Sequence, residues 1–406
     1  PTKKYLQVFY LIDTITARQR KKLCHEKGFS MLSILLQRVT FLIMMVLFSG
    51  CVFVFVHSFS PNAIAQQKFP RRIQQQQKQQ RQRQQCPGLS SSSSSSSPIS
   101  LEWIEFFAPK IKETSEHDQS EQYTPVLFLH GLLGSKRNFA TLANFLGVQL
   151  EKQRRILGVD LRNHGDTLPW SHSMSYPHMA NDVINFLDSQ NICKVVLVGH
   201  SMGGKIAQAL ALLYPEYVEG LVVLDIAPVR YSREKDPNWR AVEDILHAMN
   251  DIDIETSTTD NKITKRNIDL SLRQKIPDPA LRAFVLTNFD NRNNQWKIPI
   301  SIMVEELEQI AGFDLVLPSA TNTDELSAAT AIQHVYGKSS TSSSSYEGDV
   351  FIINGGQSRF VRHAYMDKIA SFFPNHMLTT IRGAGHWVHA EAPDDTVALL
   401  KRYLDR

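Results

Sequence analysis

The chain has 406 residues, 42% of them apolar, which is enough for more than one domain of about 100–200 residues and a sizeable core. Its formal net charge of +4 hides an asymmetry. Residues 1–100 hold 14 Lys and Arg against Asp13 and Glu26, and the remainder holds 30 basic and 38 acidic residues. Six of these 14 basic residues lie in a Gln-rich tract at 66–85 that reads as solvated, and no nucleic-acid partner is inferred. Cys24, Cys51, Cys86 and Cys193 show neither metal-ligand spacing nor a disulfide framework.

In chain order, the first signal is "VTFLIMMVLFSGCVFVFV" at 39–56, an uncharged run of about 18 residues at the lower limit for spanning a bilayer. The Gln and Ser tracts after it give a core helix nothing to pack on. The run is therefore read as a membrane anchor or as the apolar part of a signal peptide. With Met31 taken as the start residue, "MLSILLQR" supplies a compact basic lead, and cleavage after Ser58 or Ala65 follows. "VHSFSP" resembles the bipartite plastid leaders of algae with secondary plastids, which implies a plastid reached through the secretory route. Residues 66–98 are low-complexity linker. Residues 1–98 are thus a targeting or anchoring segment with its linker, and the folded domain is expected over 99–406.

From there strands and helices alternate, the pattern of a mostly parallel sheet with helices on both faces. Strands are predicted at 124–131, 154–161, 194–200, 218–228, 348–356 and 376–385. Helices are predicted at 174–190, 202–215, near 364–373 and at 393–405. Between Pro228 and Tyr346 no strand pattern competes with amphipathic helical stretches broken by "IPDP" and "NFDNRNNQ". This stretch, 229–346, is read as a helical lid inserted within the domain.

"VVLVGHSMGGKIAQAL" places Ser201 between Gly199 and Gly203, at a strand end and before a helix. That is the pattern of a nucleophile elbow, where a tight turn requires neighbours without side chains. Ser201 then stands at a helix N-terminus, where backbone N–H groups favour a developing anion. "HGLLGS" (130–135) follows an earlier strand. A turn at Gly131 would aim the N–H of Leu132 beside that of Met202, giving an oxyanion hole. His130 is read as a support of that turn rather than as a base.

These stretches, with "VDLRNHGDT", "GGQSRFV" and "GAGHWVHAEAP", resemble the α/β-hydrolase superfamily. They are most similar to the α/β-hydrolase domain-containing protein 11 group and related bacterial esterases. The resemblance covers roughly 100–406 and is loose across the helical insertion. It implies an esterase or thioesterase acting on acyl substrates without a cofactor or metal, and mitochondrial targeting as an alternative to the plastid.

"GAGHWVHAEAP" offers His386 and His389. His386 follows a Gly-containing turn at the end of the last strand and is assigned as the base; His389 is assigned a structural part. His164 and His200 read as loop or wall residues, and Asp160 and Arg162 as braces of their loop. The usual acid position, in "GGQSRFV", holds Ser358, whose neutral hydroxyl cannot stabilise an imidazolium. Asp225 closes the apolar run "LVVLDIAPV", where a charge needs a partner. It is assigned as the acid, and the resemblance to the bacterial esterases implies the matching Asp. Some relatives carry the acid within the insertion, but Ser301 holds that position here; Asp290 and Glu305 are outside candidates.

The expected reaction is a two-step acyl transfer from an apolar ester or thioester through acyl-Ser201. A lipid acyltransferase or a carbon–carbon hydrolase would use the same triad. A non-catalytic binding protein on the same fold is the reading from another class.

Overall fold

A parallel strand buried on both faces must be apolar along its whole length, because successive side chains point to opposite sides. The computed structural model describes residues 99–109, 123–254, 263–315 and 345–406. The chain divides into Pro1–Gln74, wholly outside these residues, and Gln75–Arg406, which contains them all. The apolar run at 39–56, the targeting signals and the Gln/Ser linker therefore lie outside the described residues.

In chain order come β1 (Trp103–Phe107), β2 (Val126–Leu129), α1 (Ala140–Gln149), β3 (Ile156–Val159), α2 (Tyr176–Ser189), β4 (Val195–His200), α3 (Met202–Leu213) and β5 (Val218–Leu224). The segment after β5 holds α4 (Pro237–Asn250), α5 (Lys265–Leu272), α6 (Pro279–Val285), β6 (Phe289–Asp290), β7 (Gln295–Trp296), α7 (Ile300–Glu305) and α8 (Leu307–Ala311). The chain closes with β8 (Asp349–Gly355), α9 (Met366–Phe372), β9 (His376–Ile381), α10 (Val388–Glu391) and α11 (Pro393–Leu404). Among the described residues no helix is long and apolar enough to cross a membrane.

The sheet order is β1-β3-β2-β4-β5-β8-β9. Only β1 runs antiparallel to its neighbour. Every residue of β2, β3 and β4 is buried. Leu127, Leu129, Leu157, Leu197 and Val223 face one core layer with α2 and α3. Their neighbours Val126, Phe128, Ile156, Val198 and Val222 face the other, against Leu146 of α1 and Leu400 of α11. In such sheets the crevice at the carboxyl ends of the strands is where ligands bind, and β4, β5 and β9 end there beside one another's loops.

Three details differ from the sequence expectation. β1 and α1 are additional elements. The "NFDNRNNQ" break is a short hairpin, in which Phe289 pairs with Trp296 and Asp290 with Gln295. Cys193, just ahead of β4, is disulfide-bonded.

Candidate active site

β4 ends at His200, and Ser201 turns sharply with φ 54° and ψ −119°. A non-glycine residue held in such a region costs about 1–3 kcal/mol and persists only when its surroundings fix it. Here they do so from both sides. The Ser201 N–H donates to Leu224 O at 3.1 Å, and Lys205 N–H donates to Ser201 O at 3.0 Å. The flanking glycines are required by close approach. A Cβ on Gly199 would lie 2.3 Å from Gly203 O, and one on Gly203 would lie 2.3 Å from Leu129 O.

The loop after β9 brings His386 to this serine: Nε2 lies 3.0 Å from Ser201 Oγ. On the other side of the ring, Nδ1 lies 2.7 Å from Oδ2 of Asp225. Asp225 is fully buried just beyond β5 and takes a positive φ of 53°. Its Oδ1 accepts the Gly355 N–H at 2.9 Å, and its Oδ2 also accepts the Ser358 hydroxyl. With a carboxylate as acceptor, the network assigns the proton to Nδ1 and leaves the Nε2 lone pair facing Ser201. Phe360, two residues past Ser358, packs its ring 4.3 Å from that of His386.

His200, expected to be a wall residue, makes a specific contact. Its Nε2–H donates to the carbonyl of His386 at 2.9 Å, tying the loop that carries His386 to the residue before Ser201. Its ring lies 4.7 Å from that of His386 and 4.5 Å from that of His389. Burial, followed by the charges of His389 and His386, holds the His200 imidazole well below its ordinary range. Burial likewise lowers His389 to about 4.

The turn after β2 abuts the elbow: a Cβ on Gly131 would lie 3.2 Å from Ser201 Cβ and 2.9 Å from His200 Nδ1. Gly131 O accepts from Gly134 N–H at 3.0 Å and from His130 Nδ1–H at 2.8 Å. A trans peptide points its C=O and N–H in opposite directions, so the Leu132 N–H turns away from both of these donors. His130 Nε2 in turn accepts the Leu161 N–H at 3.0 Å. Burial lowers His130 to about 4 and His164 to about 3, so both are neutral acceptors at neutral pH. Met202, the first residue of α3, has an N–H without an intrahelical partner.

Leu132, Ser201 and Met202 border a small cavity of about 30 Å³ whose other walls include Ile226, Trp239 and Phe360. Lys205, one helical turn past Ser201, also lines it. Its ammonium donates to Ala311 O and Gly312 O, both at 2.7 Å, below the Tyr231 ring. Burial draws its pKa well below the ordinary lysine value. Lys205 thus fastens the end of α8 to α3.

The outside acid candidates have other engagements. Asp290 caps the β6–β7 turn by accepting from Arg292 N–H at 2.8 Å. Glu305 is exposed, 3.8 Å from His172, and Ser301 is exposed at the start of α7. Asp160 braces its loop by accepting the Lys136 and Asp166 N–H groups at 2.7 and 2.8 Å. Arg162 pairs with buried Asp182. Among the described residues no group of His, Cys, Asp and Glu side chains is arranged to hold a metal ion.

A serine on a strained strand-to-helix turn, at the carboxyl end of a mostly parallel sheet with an imidazole in reach, defines the α/β-hydrolase class of fold. The family model described as the alpha/beta hydrolase fold matches residues 124–270. The chain is 34% identical over 283 residues to the sn-1-specific diacylglycerol lipase ABHD11 of Danio rerio, spanning 69% of this chain and 78% of that protein. It is 30% identical over 291 residues to the esterase YbfF of Escherichia coli (strain K12), spanning 72% and 95%. A solved marine microorganism esterase superposes with a TM-score of 0.58 at 28% identity, over 75% of this chain and 99% of that one. The chain belongs to the α/β-hydrolase superfamily, in the group that holds ABHD11 and these bacterial esterases.

Proposed function

We propose that the chain is a serine hydrolase that cleaves carboxylic esters or thioesters of apolar acyl groups through an acyl-enzyme. The observation that carries this reading is the unbroken path from Ser201 Oγ through His386 to the buried carboxylate of Asp225. Relatives named esterase and lipase support the ester substrate class.

In the first step Ser201 Oγ attacks the acyl carbon while its proton passes to His386 Nε2. Asp225 stabilises the imidazolium through Nδ1–H. The carbonyl oxygen becomes an anion held by the Leu132 and Met202 N–H groups, each donor being worth on the order of 10²–10³ in rate. Collapse expels the alkoxide or thiolate, which takes the proton from Nε2. Water then gives a proton to His386 and attacks the acyl-Ser201 carbon, and the freed acid leaves.

The segment 229–346 acts as the lid over the apolar cavity. Residues 1–98 direct the enzyme to an organelle or a membrane through the run at 39–56. The test is turnover of p-nitrophenyl esters and acyl-CoA thioesters of increasing chain length by the full chain, Ser201→Ala and His386→Ala. The wild type is expected to turn over at least one series, and both variants to lose at least 10³-fold in kcat. A wild type inert on every member, or a Ser201→Ala variant of equal activity, overturns the reading.

A further inference from the structure

Leu133 sits in the left-handed region at φ 62°, and its side chain is buried in the core. A branched apolar side chain does not hold that conformation by its own preference. The two peptide units that meet at its Cα are each fixed from outside the turn. The Leu133 N–H donates to His164 Nε2 at 3.1 Å, and the His164 Nδ1–H donates to Arg162 O at 2.8 Å. The Leu133 carbonyl accepts Asn288 Nδ2–H at 2.8 Å, a buried contact across 155 positions. His164 comes from the sheet side, next to β3. Asn288 comes from the segment between β5 and β8.

Asn288 is itself held in place. It immediately precedes β6, and its carbonyl accepts the Lys297 N–H at 2.8 Å just beyond β7. Phe289 beside it is buried, with the Trp296 ring 5.5 Å away. The short hairpin therefore presents one amide, at a fixed point, to the turn that carries Leu132.

We infer that Asn288 is a positioning residue for the oxyanion site: its amide holds Leu133 in the left-handed conformation that aims the preceding Leu132 N–H. The inference rests on the serine-hydrolase reading above. It makes the inserted segment a part of the catalytic geometry as well as a cover for the cavity. Released from Asn288, the Leu133–Gly134 peptide turns toward a relaxed φ and its Gly134 N–H leaves Gly131 O, so the Gly131–Leu132 peptide that carries the Leu132 N–H is held by His130 alone and loses its alignment. The Ser201, His386 and Asp225 contacts do not involve Asn288 and stay as they are.

The test compares full-length wild type, Asn288→Ala and the isosteric Asn288→Asp, which sets a carboxylate oxygen against the Leu133 carbonyl. The readouts are kcat and KM on the preferred ester, the pH midpoint of kcat/KM, and inhibition by two ketones. One is a trifluoromethyl ketone analogue, which forms a tetrahedral oxyanion on Ser201; the other is the matching plain ketone, which does not. Asn288→Ala is expected to lose about 10- to 100-fold in kcat and Asn288→Asp more, with KM and the pH midpoint unmoved. Affinity for the trifluoromethyl ketone should fall by the same factor as kcat/KM, and affinity for the plain ketone should hold. Glycine takes a positive φ without strain, so Leu133→Gly added to Asn288→Ala should recover part of the lost kcat.

Folded Asn288 variants with kcat within twofold of wild type overturn the inference. So does a fall in kcat with unchanged trifluoromethyl ketone affinity, or an equal loss for both ketones. A wild type that neither cleaves esters nor binds the trifluoromethyl ketone overturns the hydrolase reading, and the inference with it.

Discussion

The Ser358 hydroxyl donates to Oδ2 of Asp225 across 133 positions of chain. This is the same carboxylate oxygen that faces His386 Nδ1. The loop after β8, the usual place of a carboxylate in this fold, thus supports the Asp225 carboxylate instead of supplying one. Gly355 donates to the other oxygen. Both carboxylate oxygens are engaged and one is fixed toward the imidazole, which offsets much of the cost of burying a charge.

Asp225→Asn should therefore lower kcat by about 10³–10⁴ while KM stays near its wild-type value, because an amide there no longer fixes the proton on Nδ1. Steady-state kinetics on the preferred ester, with circular dichroism as the fold control, checks this. Retained turnover would remove Asp225 from the acid role.

Ser358→Ala removes one of the donors to Asp225 and leaves the carboxylate charged. A neutral-donor contact of this kind is worth about 1 kcal/mol, about fivefold in rate. A fivefold to tenfold loss of kcat with unchanged KM is expected. A loss as large as that of Asp225→Asn would mean that Ser358 carries more than orientation.

Acid should destabilise the fold through its buried histidines. His130 and His389 are lowered from 6.5 to about 4, and His164 to about 3, in each case first by burial. The unfolded chain binds these protons near pH 6.5 and the folded chain resists them. The contribution is complete above pH 6.5 and is lost as pH falls from there toward 4, by up to about 1.4 kcal/mol per pH unit for each histidine. His389 also has a buried Nδ1 without a hydrogen-bond partner. Urea unfolding at pH 7 and pH 5 should give a smaller pH difference for His389→Phe than for wild type, with ester turnover kept at pH 7.

Gly203→Ala should disrupt both fold and activity. The new Cβ would meet Leu129 O at 2.3 Å and His130 O at 2.5 Å, and backbone atoms of a central strand cannot move aside. A destabilisation of about 3 kcal/mol, read by urea unfolding, is expected with loss of turnover. A variant with wild-type stability would mean that the elbow is looser than described.

Much of this was legible in the sequence for a physical reason. Double-sided burial makes β2, β3, most of β4 and the Leu221–Leu224 end of β5 apolar runs, and a charge ending such a run, Asp225, stands out. β1 escaped notice because it lies at the sheet edge, where "WIEFF" mixes exposed and half-buried positions. α1 escaped because Phe145 and Val148 are exposed, which blurs its apolar stripe. β6 and β7 are two residues each, too short for any periodicity. The parts played by His200 and Asn288 come from contacts 186 and 155 positions away, which no local pattern encodes. Ser358 was noticed only as a missing acid, since its value depends on Asp225 lying beside it.

The account turns on one reactive hydroxyl. Treatment of the full chain with a fluorophosphonate, followed by intact-mass and peptide mass spectrometry, measures it directly. The account predicts one adduct per chain, located on Ser201, absent from Ser201→Ala and strongly slowed in His386→Ala. A folded wild type that stays unmodified, or an adduct on any other residue, would contradict it.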